Sequence, residues 1–130
     1  MRIHLAHHAA DAAFAAELTR VMGPHQFDVW PTVAGSDAVV CLLSHPALRD
    51  GVGKAPAEAI DAEIAVLPML VGEAPVPRRF PAHAKHMPLA RDAGQALRLL
   101  EDHRKNAAHK IADGKRELFG FGLVLALLAK

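Results

Sequence analysis

The stretch SDAVVCLLSHPALRDG, residues 36–51, decides the fold of this chain. Six apolar residues, AVVCLL, run through it without a break, with polar residues on both sides. A continuous apolar run of this length is typical of a strand that is covered on both faces, as in a parallel sheet. The run ends at Ser44-His45-Pro46, and such sheets bind ligands beyond the carboxyl ends of their strands. The sequence therefore predicts a central buried strand over 37–44 with a polar rim.

The segments around this strand predict three more strands. RIHLA (2–6) and QFDVW (26–30) have the alternation of short strands, and AVLPMLV (65–71) forms a second continuous apolar run. We expect residues 45–54 to form a loop with one helical turn at PALR, and the Pro-rich residues 72–88 to form an irregular connection.

Three helices are predicted between and after the strands. The first covers 12–22 with Asp11 as its cap, the second covers 56–65 and begins at Pro56, and the third covers 89–111. Strands that alternate with helices predict an α/β fold, with a mostly parallel sheet of about four strands between two layers of helices. The helix faces expected to be buried carry Phe14, Leu18 and Val21 in the first helix, and Leu97, Leu100, Arg104, Ala107 and Ile111 in the last.

The composition argues against several classes of protein. The chain has 130 residues, enough for one domain, and 52% of them are apolar, so we expect it to fold around a core. Fifteen Lys and Arg against fourteen Asp and Glu leave a net charge of +1, which disfavours a nucleic-acid partner. The single cysteine, Cys41, cannot form an intramolecular disulfide, and the first residues do not form a secretory signal. We therefore expect a cytoplasmic protein, and any association with a membrane would be through its C-terminal segment.

The C-terminal segment differs in composition from the rest. We divide the chain into an α/β domain over 1–112 and an apolar segment over 113–130. Residues 118–129 are uncharged and mostly apolar, but these twelve residues are fewer than the roughly 20 that span a bilayer. Three roles stay open for the segment: a last core helix, an oligomerisation strip, or a membrane-surface anchor aided by Lys115 and Arg116. Packing within the domain or between copies is favoured over contact with lipid.

The order of these segments resembles the TIR (Toll/interleukin-1 receptor) domain family, from residue 2 to about residue 110. The matching pieces are an opening strand followed by HHAADAAFAAEL, the strand FDVW, the stretch SDAVVCLLSHPAL, a helix that carries a glutamate, and AVLPMLV. Ser44-His45-Pro46 fits the strand of that family that ends in serine before a small residue or proline. The resemblance implies a flavodoxin-like three-layer fold. It also implies a signalling and assembly module that acts through self-association or through other TIR-like proteins.

The resemblance implies a second function as well, the hydrolysis of NAD⁺. NAD-cleaving members of the family use a glutamate on the helix after the third strand, and the matching position is Glu58, with Glu63 as the competitor. NAD⁺ is then the substrate, and no cofactor is implied. A carboxylate suits this role because it stabilises the positive, oxocarbenium-like transition state of glycosidic cleavage. A structural alternative stays open, in which both glutamates belong to the solvated face of a short helix.

Four further residues are candidates for binding a substrate at the same edge. His7 and Asp11 follow the first strand, and Ser44 and His45 follow the third, so both pairs come after carboxyl ends. Ser44 can donate a hydrogen bond to a ribose or a phosphate, but it can equally cap the turn that follows it. We predict no metal site, because adjacent histidines in extended backbone point to opposite sides, and HAKH (83–86) has no nearby cysteine or carboxylate.

One departure from the family decides the order of the predicted functions. TIR domains place a loop and a helix between the second and third strands, and that loop helps to form the assembly contacts and the NAD pocket. Here only PTVAGS separates Trp30 from Asp37. A wall of the pocket is therefore missing or must come from another copy. We predict an assembly module first, an NAD nucleosidase that is active only in oligomers second, and a membrane-attached effector that uses residues 115–130 third.

Overall fold

A computed structural model gives the architecture over residues 1–75 and 87–114, the last eight of these as backbone only. Helices follow the first, third and fourth strands along the described residues, and the second strand leads directly to the third. The strands are β1 (Arg2–Ala6), β2 (Asp28–Val29), β3 (Ala38–Leu43) and β4 (Ala65–Leu70). The helices are α1 (Ala12–Met22), α2 (His45–Asp50), α3 (Ala55–Asp61) and α4 (Ala93–Gly114), and short 3-10 turns at Ala9–Asp11 and Gly23–His25 flank α1.

The four strands form one parallel sheet in the order β2-β1-β3-β4. Ile3 of β1 pairs with Val29 of β2 on one side and with Ala38 of β3 on the other, and Ala38 pairs with Ala65 of β4. The chain adds β2 beside β1 and then crosses to the opposite side of β1 for β3, so the strand order reverses between β1 and β3. The predicted fold is confirmed: the chain has a flavodoxin-like three-layer α/β architecture with helices on both faces of a parallel sheet.

The first face of the sheet packs against the two longest helices. Ile3 of β1 and Val40 of β3 point to this side, where Leu18 and Met22 of α1 and Leu100 of α4 cover them. All five side chains are buried. Because side chains alternate between the two faces of a sheet, every second residue of β1 and β3 belongs to this cluster.

The second face packs against shorter elements. Val39 and Cys41 of β3 and Val66 of β4 point to this side and are buried. Helices α2 and α3 cover them, together with the connection between β2 and β3. Each of these elements contributes little apolar surface: Leu48 from α2, Ala59 from α3 and Val33 from the connection.

The buried face of α1 differs from its predicted position. Val21 is predicted in the core, but its side chain is 38% exposed. The buried positions are instead Ala15, Leu18 and Met22, which also follow helical spacings of three and four residues. Phe14 packs against the core from its margin while staying partly exposed. Two faces of this helix satisfy the apolar spacing, and the longer side chain of Met22 lies in the one that meets the sheet.

Helix α2 occupies residues that are predicted to form a loop with one helical turn. The helix runs over His45–Asp50. Ser44 caps it with its side chain, and Pro46 lies in its first turn. The backbone N–H groups of the first turn have no acceptor within the helix, so a proline there costs no hydrogen bond. The cap and the proline therefore extend the predicted single turn into a six-residue helix.

The bounds of α3 and α4 also differ from the prediction. Helix α3 ends at Asp61 rather than at residue 65, because Glu63 adopts a left-handed conformation with φ 57°. Helix α4 begins at Ala93 rather than at residue 89, because Asp92 Oδ1 accepts a hydrogen bond from the Gln95 N–H at 2.7 Å and so caps the helix there. Before the helix, Ala90 forms a parallel bridge with Met69.

Some predictions fall on residues outside the described ranges. They include the histidine pair at 83–86 and the apolar residues 118–129. Helix α4 continues to Gly114, past the predicted boundary between residues 112 and 113. Among the described residues, no helix combines the length and the apolar character needed to cross a membrane.

Candidate functional site

Two of the predicted site residues meet where the strand order reverses. Asp11 lies in the turn after β1, and Ser44 directly follows β3. The Ser44 hydroxyl donates a hydrogen bond to Asp11 Oδ2, although the residues are 33 positions apart in the sequence. Asp11 is 9% exposed and Ser44 is 4% exposed. The carboxyl ends of adjacent parallel strands thus bring together a buried carboxylate and a buried hydroxyl at the position where flavodoxin-like sheets bind ligands.

Ser44 has two structural tasks at this position. Its Oγ accepts a hydrogen bond from the Ala47 N–H at 3.1 Å, which caps α2. The same hydroxyl donates a hydrogen bond to the Asp11 carboxylate. Ser44 therefore couples the start of α2 to the turn after β1.

Asp11 does not cap α1 with its side chain, and this part of the prediction is wrong. It stands at the N-cap position, but its carboxylate makes no hydrogen bond to an N–H group of the helix. The chain already winds as a 3-10 turn before α1, and the Ala12 N–H donates to the Ala9 carbonyl within that turn. The carboxylate is free to turn toward Ser44, and its charge still lies near the positive end of the α1 dipole.

The adjacent histidines contact different partners. His7 Nδ1 lies 2.9 Å from the His8 carbonyl oxygen. His8 Nδ1 accepts a hydrogen bond from the Ala10 N–H at 3.0 Å, which caps the 3-10 turn, and His8 Nε2 lies 3.3 Å from Asp50 Oδ2 at the end of α2. Hydrogen bonds from the Arg49 guanidinium lower the pKa of the Asp50 carboxyl, and His8 adds a smaller effect in the same direction.

The remaining predicted residues form no hydrogen bond or ion pair with the side chains of this pair. His45 is the first residue of α2 and is exposed. Glu58 is exposed in the first turn of α3, and its carboxylate forms no hydrogen bond or ion pair with any other described residue. Glu63 precedes β4 and therefore lies at the amino edge of the sheet, at the opposite end from Asp11 and Ser44.

The contact between His8 and Asp50 is missing from the sequence-based predictions. There His8 is considered only as one of two adjacent histidines that are rejected as a metal-binding pair, and Asp50 has no role. The signal that could reveal the contact is the helical potential of HPALRD, because a helix there returns Asp50 to the turn after β1. No group of three or more metal-ligating side chains occurs in the described part of the chain.

The short connection between β2 and β3 forms a second cluster. Residues 30–37 contain a turn, in which the Ser36 N–H donates to the Val33 carbonyl at 3.0 Å, and no helix. The Arg2 guanidinium lies 4.3 Å from the centre of the Trp30 ring, and the Trp30 indole N–H donates to the Ala34 carbonyl at 3.2 Å. In the described part of the chain, a turn and one aromatic ring therefore cover the β1 and β2 side of the second face.

Two cavities lie away from the predicted site. One, of about 330 Å³, is lined at the amino edge of the sheet by Met1, Asp37, His103 and Arg104. The other is a groove of about 530 Å³ along α4, where it passes the turn at Gly23–His25. Neither is lined by a residue predicted to act on a substrate.

Comparison of the chain with protein-family models, with curated proteins and with solved structures finds no match.

Proposed function

We propose that this chain is a TIR-like signalling and assembly module that acts through self-association or partner binding. The observation that supports the proposal is the incomplete cover of the second face. Parallel sheets normally have helices over both faces, because both faces are apolar. Among the residues that the structure describes, only the turn at 30–37 lies over β1 and β2 on this side.

The residues on this side suit a contact that forms and dissociates. Arg2 is exposed, and Trp30 is partly exposed beneath its guanidinium. Tryptophan and arginine are the residue types that most often dominate the binding energy of an interface. Asp28, which pairs with Arg2 in the sheet register, is exposed as well, so the surface is polar and stays hydrated in a single copy. Such a surface fits a weak signalling contact rather than an obligate dimer.

Light scattering over a range of protein concentrations tests the proposal. We expect a mass that rises above the monomer with concentration, and we expect Arg2→Glu to reduce this association. The matched control is Arg98→Glu, which reverses the charge of an exposed side chain on α4. A protein that stays monomeric at every concentration and captures no partner would contradict the proposal.

A second candidate function is the hydrolysis of NAD⁺, and Glu58 supports it. Its carboxylate is exposed in the first turn of α3 and is not neutralised by any other described residue. In this reaction the glycosidic bond to nicotinamide breaks and water supplies the new oxygen on the ribose. A nearby carboxylate stabilises the positive charge that develops on the ribose. The short connection at 30–37 leaves one side of the pocket to be completed by another copy.

Incubation of the purified protein with NAD⁺ tests this candidate. We expect nicotinamide release only at concentrations where the protein associates, and we expect Glu58→Gln to abolish it. Glu63→Gln is the matched control, since Glu63 lies at the other end of the sheet. The candidate fails if the associated protein releases no nicotinamide, or if Glu58→Gln and Glu63→Gln have equal effects.

A third candidate, a membrane-attached effector, depends on residues 115–130, which lie outside the described ranges. Flotation with anionic liposomes, with and without these residues, separates it from the other two. Retention of liposome binding by a protein without residues 115–130 would rule out this role for the segment.

A further inference from the structure

His7 and His8 hold their protons on different ring nitrogens. The Nδ1 atom of His7 faces a carbonyl oxygen, which can only accept, so this nitrogen carries a proton. The Nδ1 atom of His8 faces the Ala10 N–H, which can only donate, so this nitrogen carries a lone pair. Neutral His8 therefore has its proton on Nε2.

The second contact of His8 favours the same tautomer. Its Nε2 lies 3.3 Å from Asp50 Oδ2, and a carboxylate oxygen at this distance favours a proton on Nε2. The ring thus links the turn Ala9–Asp11, which supplies Asp11, to the end of α2, the helix that Ser44 caps. His8 thus joins the connection that supplies Asp11 to the connection that supplies Ser44.

We propose that His8 is a pH-sensitive cap of the turn that carries Asp11. Neutral His8 caps the turn, and protonated His8 does not. A second proton, taken up from solvent, must go to Nδ1, which then can no longer accept the Ala10 N–H. The charged ring keeps its contact with the Asp50 carboxylate and gains an ion pair there. Protonation therefore removes the hydrogen bond between His8 and the turn at Ala9–Asp11, which loses its cap. It also strengthens the contact between His8 and α2.

The surrounding groups make this response specific to His8. The titratable and charged residues of α2 are His45, Arg49 and Asp50, of which Asp50 contacts His8, and those of its own turn are His7 and Asp11. Protonation of His7 adds a proton at Nε2 and breaks no bond, since its Nδ1 already donates. His4 behaves in the same way, because its Nδ1 faces the Trp30 carbonyl at 2.9 Å. Histidine side chains take up this proton between about pH 5 and 8.

Nuclear magnetic resonance of the full chain tests the proposal. At pH 7.5 we expect the ring nitrogen signals to show Nε2–H for His8 and Nδ1–H for His7. Between pH 7.5 and pH 5.5 we expect the Ala10 amide proton to shift upfield as its hydrogen bond is lost, in step with the titration of His8. In His8→Asn this shift should be absent, because the asparagine side chain can accept the Ala10 N–H at every pH.

The control is His7→Asn, in which the Ala10 amide should respond to pH as in the unaltered protein. The proposal is overturned if His8 carries its neutral proton on Nδ1, or if the Ala10 amide shifts equally in His8→Asn. The tautomer measurement needs no substitution, so it decides the question even if a variant fails to fold. None of these readouts involves self-association or NAD⁺, so their failure leaves the proposed function standing.

Discussion

The two faces of the sheet are covered by elements of very different length. On the first face lie α1 with 11 residues and α4 with 22 residues. On the second face lie α2 with 6 residues, α3 with 7 residues, and the turn at 30–37. The buried pair of Asp11 and Ser44 adjoins the second face, since Ser44 caps α2, and Glu58 lies separately on α3.

Because of this difference in helix length, we expect the two faces of the sheet to differ in stability. Helices of six or seven residues have little stability of their own, so α2 and α3 depend on caps and on packing against the sheet. The first face buries long side chains such as Leu18 and Leu100, whereas α3 buries only Ala59. We infer that the first face carries most of the folding free energy and that the second face opens more easily.

Truncation of one leucine on each face should show the largest effect. Leu42 on the first face is fully buried, and Leu42→Ala should lower the free energy of unfolding by about 3 kcal/mol. Leu48 of α2 is only partly buried, and Leu48→Ala should lower it by about 1 kcal/mol. Urea denaturation measures both values. Equal losses would show that the second face is as important for stability as the first.

Removal of the Ser44 hydroxyl should have the next largest effect. In Ser44→Ala the buried Asp11 carboxylate loses its hydrogen-bond donor and α2 loses its cap. We therefore expect the free energy of unfolding to fall by about 2 kcal/mol. Ser36→Ala is the matched control, because that buried hydroxyl donates only to a backbone carbonyl, and we expect a loss of about 1 kcal/mol there. A loss in Ser44→Ala no greater than in Ser36→Ala would mean that the Asp11 contact adds no stability.

The proximity of Asp11 and Ser44 is predictable from the sequence because it depends on strand topology. The alternation of RIHLA identifies β1 and a continuous apolar run identifies β3, and parallel strands place their carboxyl ends at one edge. The bond between the two side chains is not predictable in the same way. Asp11 has an equally reasonable partner in the N–H groups of α1, and only the preceding 3-10 turn makes that role unnecessary.

The contact between His8 and Asp50 is less accessible to sequence reasoning. It requires α2 to be a helix, and HPALRD is too short for its apolar spacing to distinguish a helix from a loop. The cap from Ser44 settles this choice, and the role of the serine is itself ambiguous in the sequence. Similarly, Val21 and Met22 compete for the core in the periodicity of α1, and only the placement of the sheet decides between them.

Chemical labelling of Cys41 reports how easily the second face opens. Burial raises the pKa of the Cys41 thiol to about 12, so the folded protein has almost no reactive thiolate at neutral pH. We expect labelling by iodoacetamide to be slow in the folded protein and to accelerate in mild urea. The urea dependence should be shallower than that of global unfolding, because detachment of α3 exposes less surface than complete unfolding. Identical urea dependences would show that the two faces open together.

Relief of backbone strain should give the smallest effect, and a stabilising one. Gln26, between α1 and β2, and Glu63, between α3 and β4, have positive φ values of 62° and 57°. A left-handed conformation costs a non-glycine residue about 1 to 2 kcal/mol, and glycine avoids most of this but loses more chain entropy on folding. Gln26→Gly and Glu63→Gly should therefore each stabilise the protein by about 0.5 kcal/mol, measured as a shift of the urea midpoint.

The matched controls are Gln26→Ala and Glu63→Ala, which keep the Cβ atom and so should bring no gain. Because the strain is local to the backbone, the two glycine variants should gain equally, whichever face their connections serve. A smaller gain at Glu63 would mean that its left-handed conformation is already lost in part of the folded population. That result would place the easier opening of the second face at the end of α3.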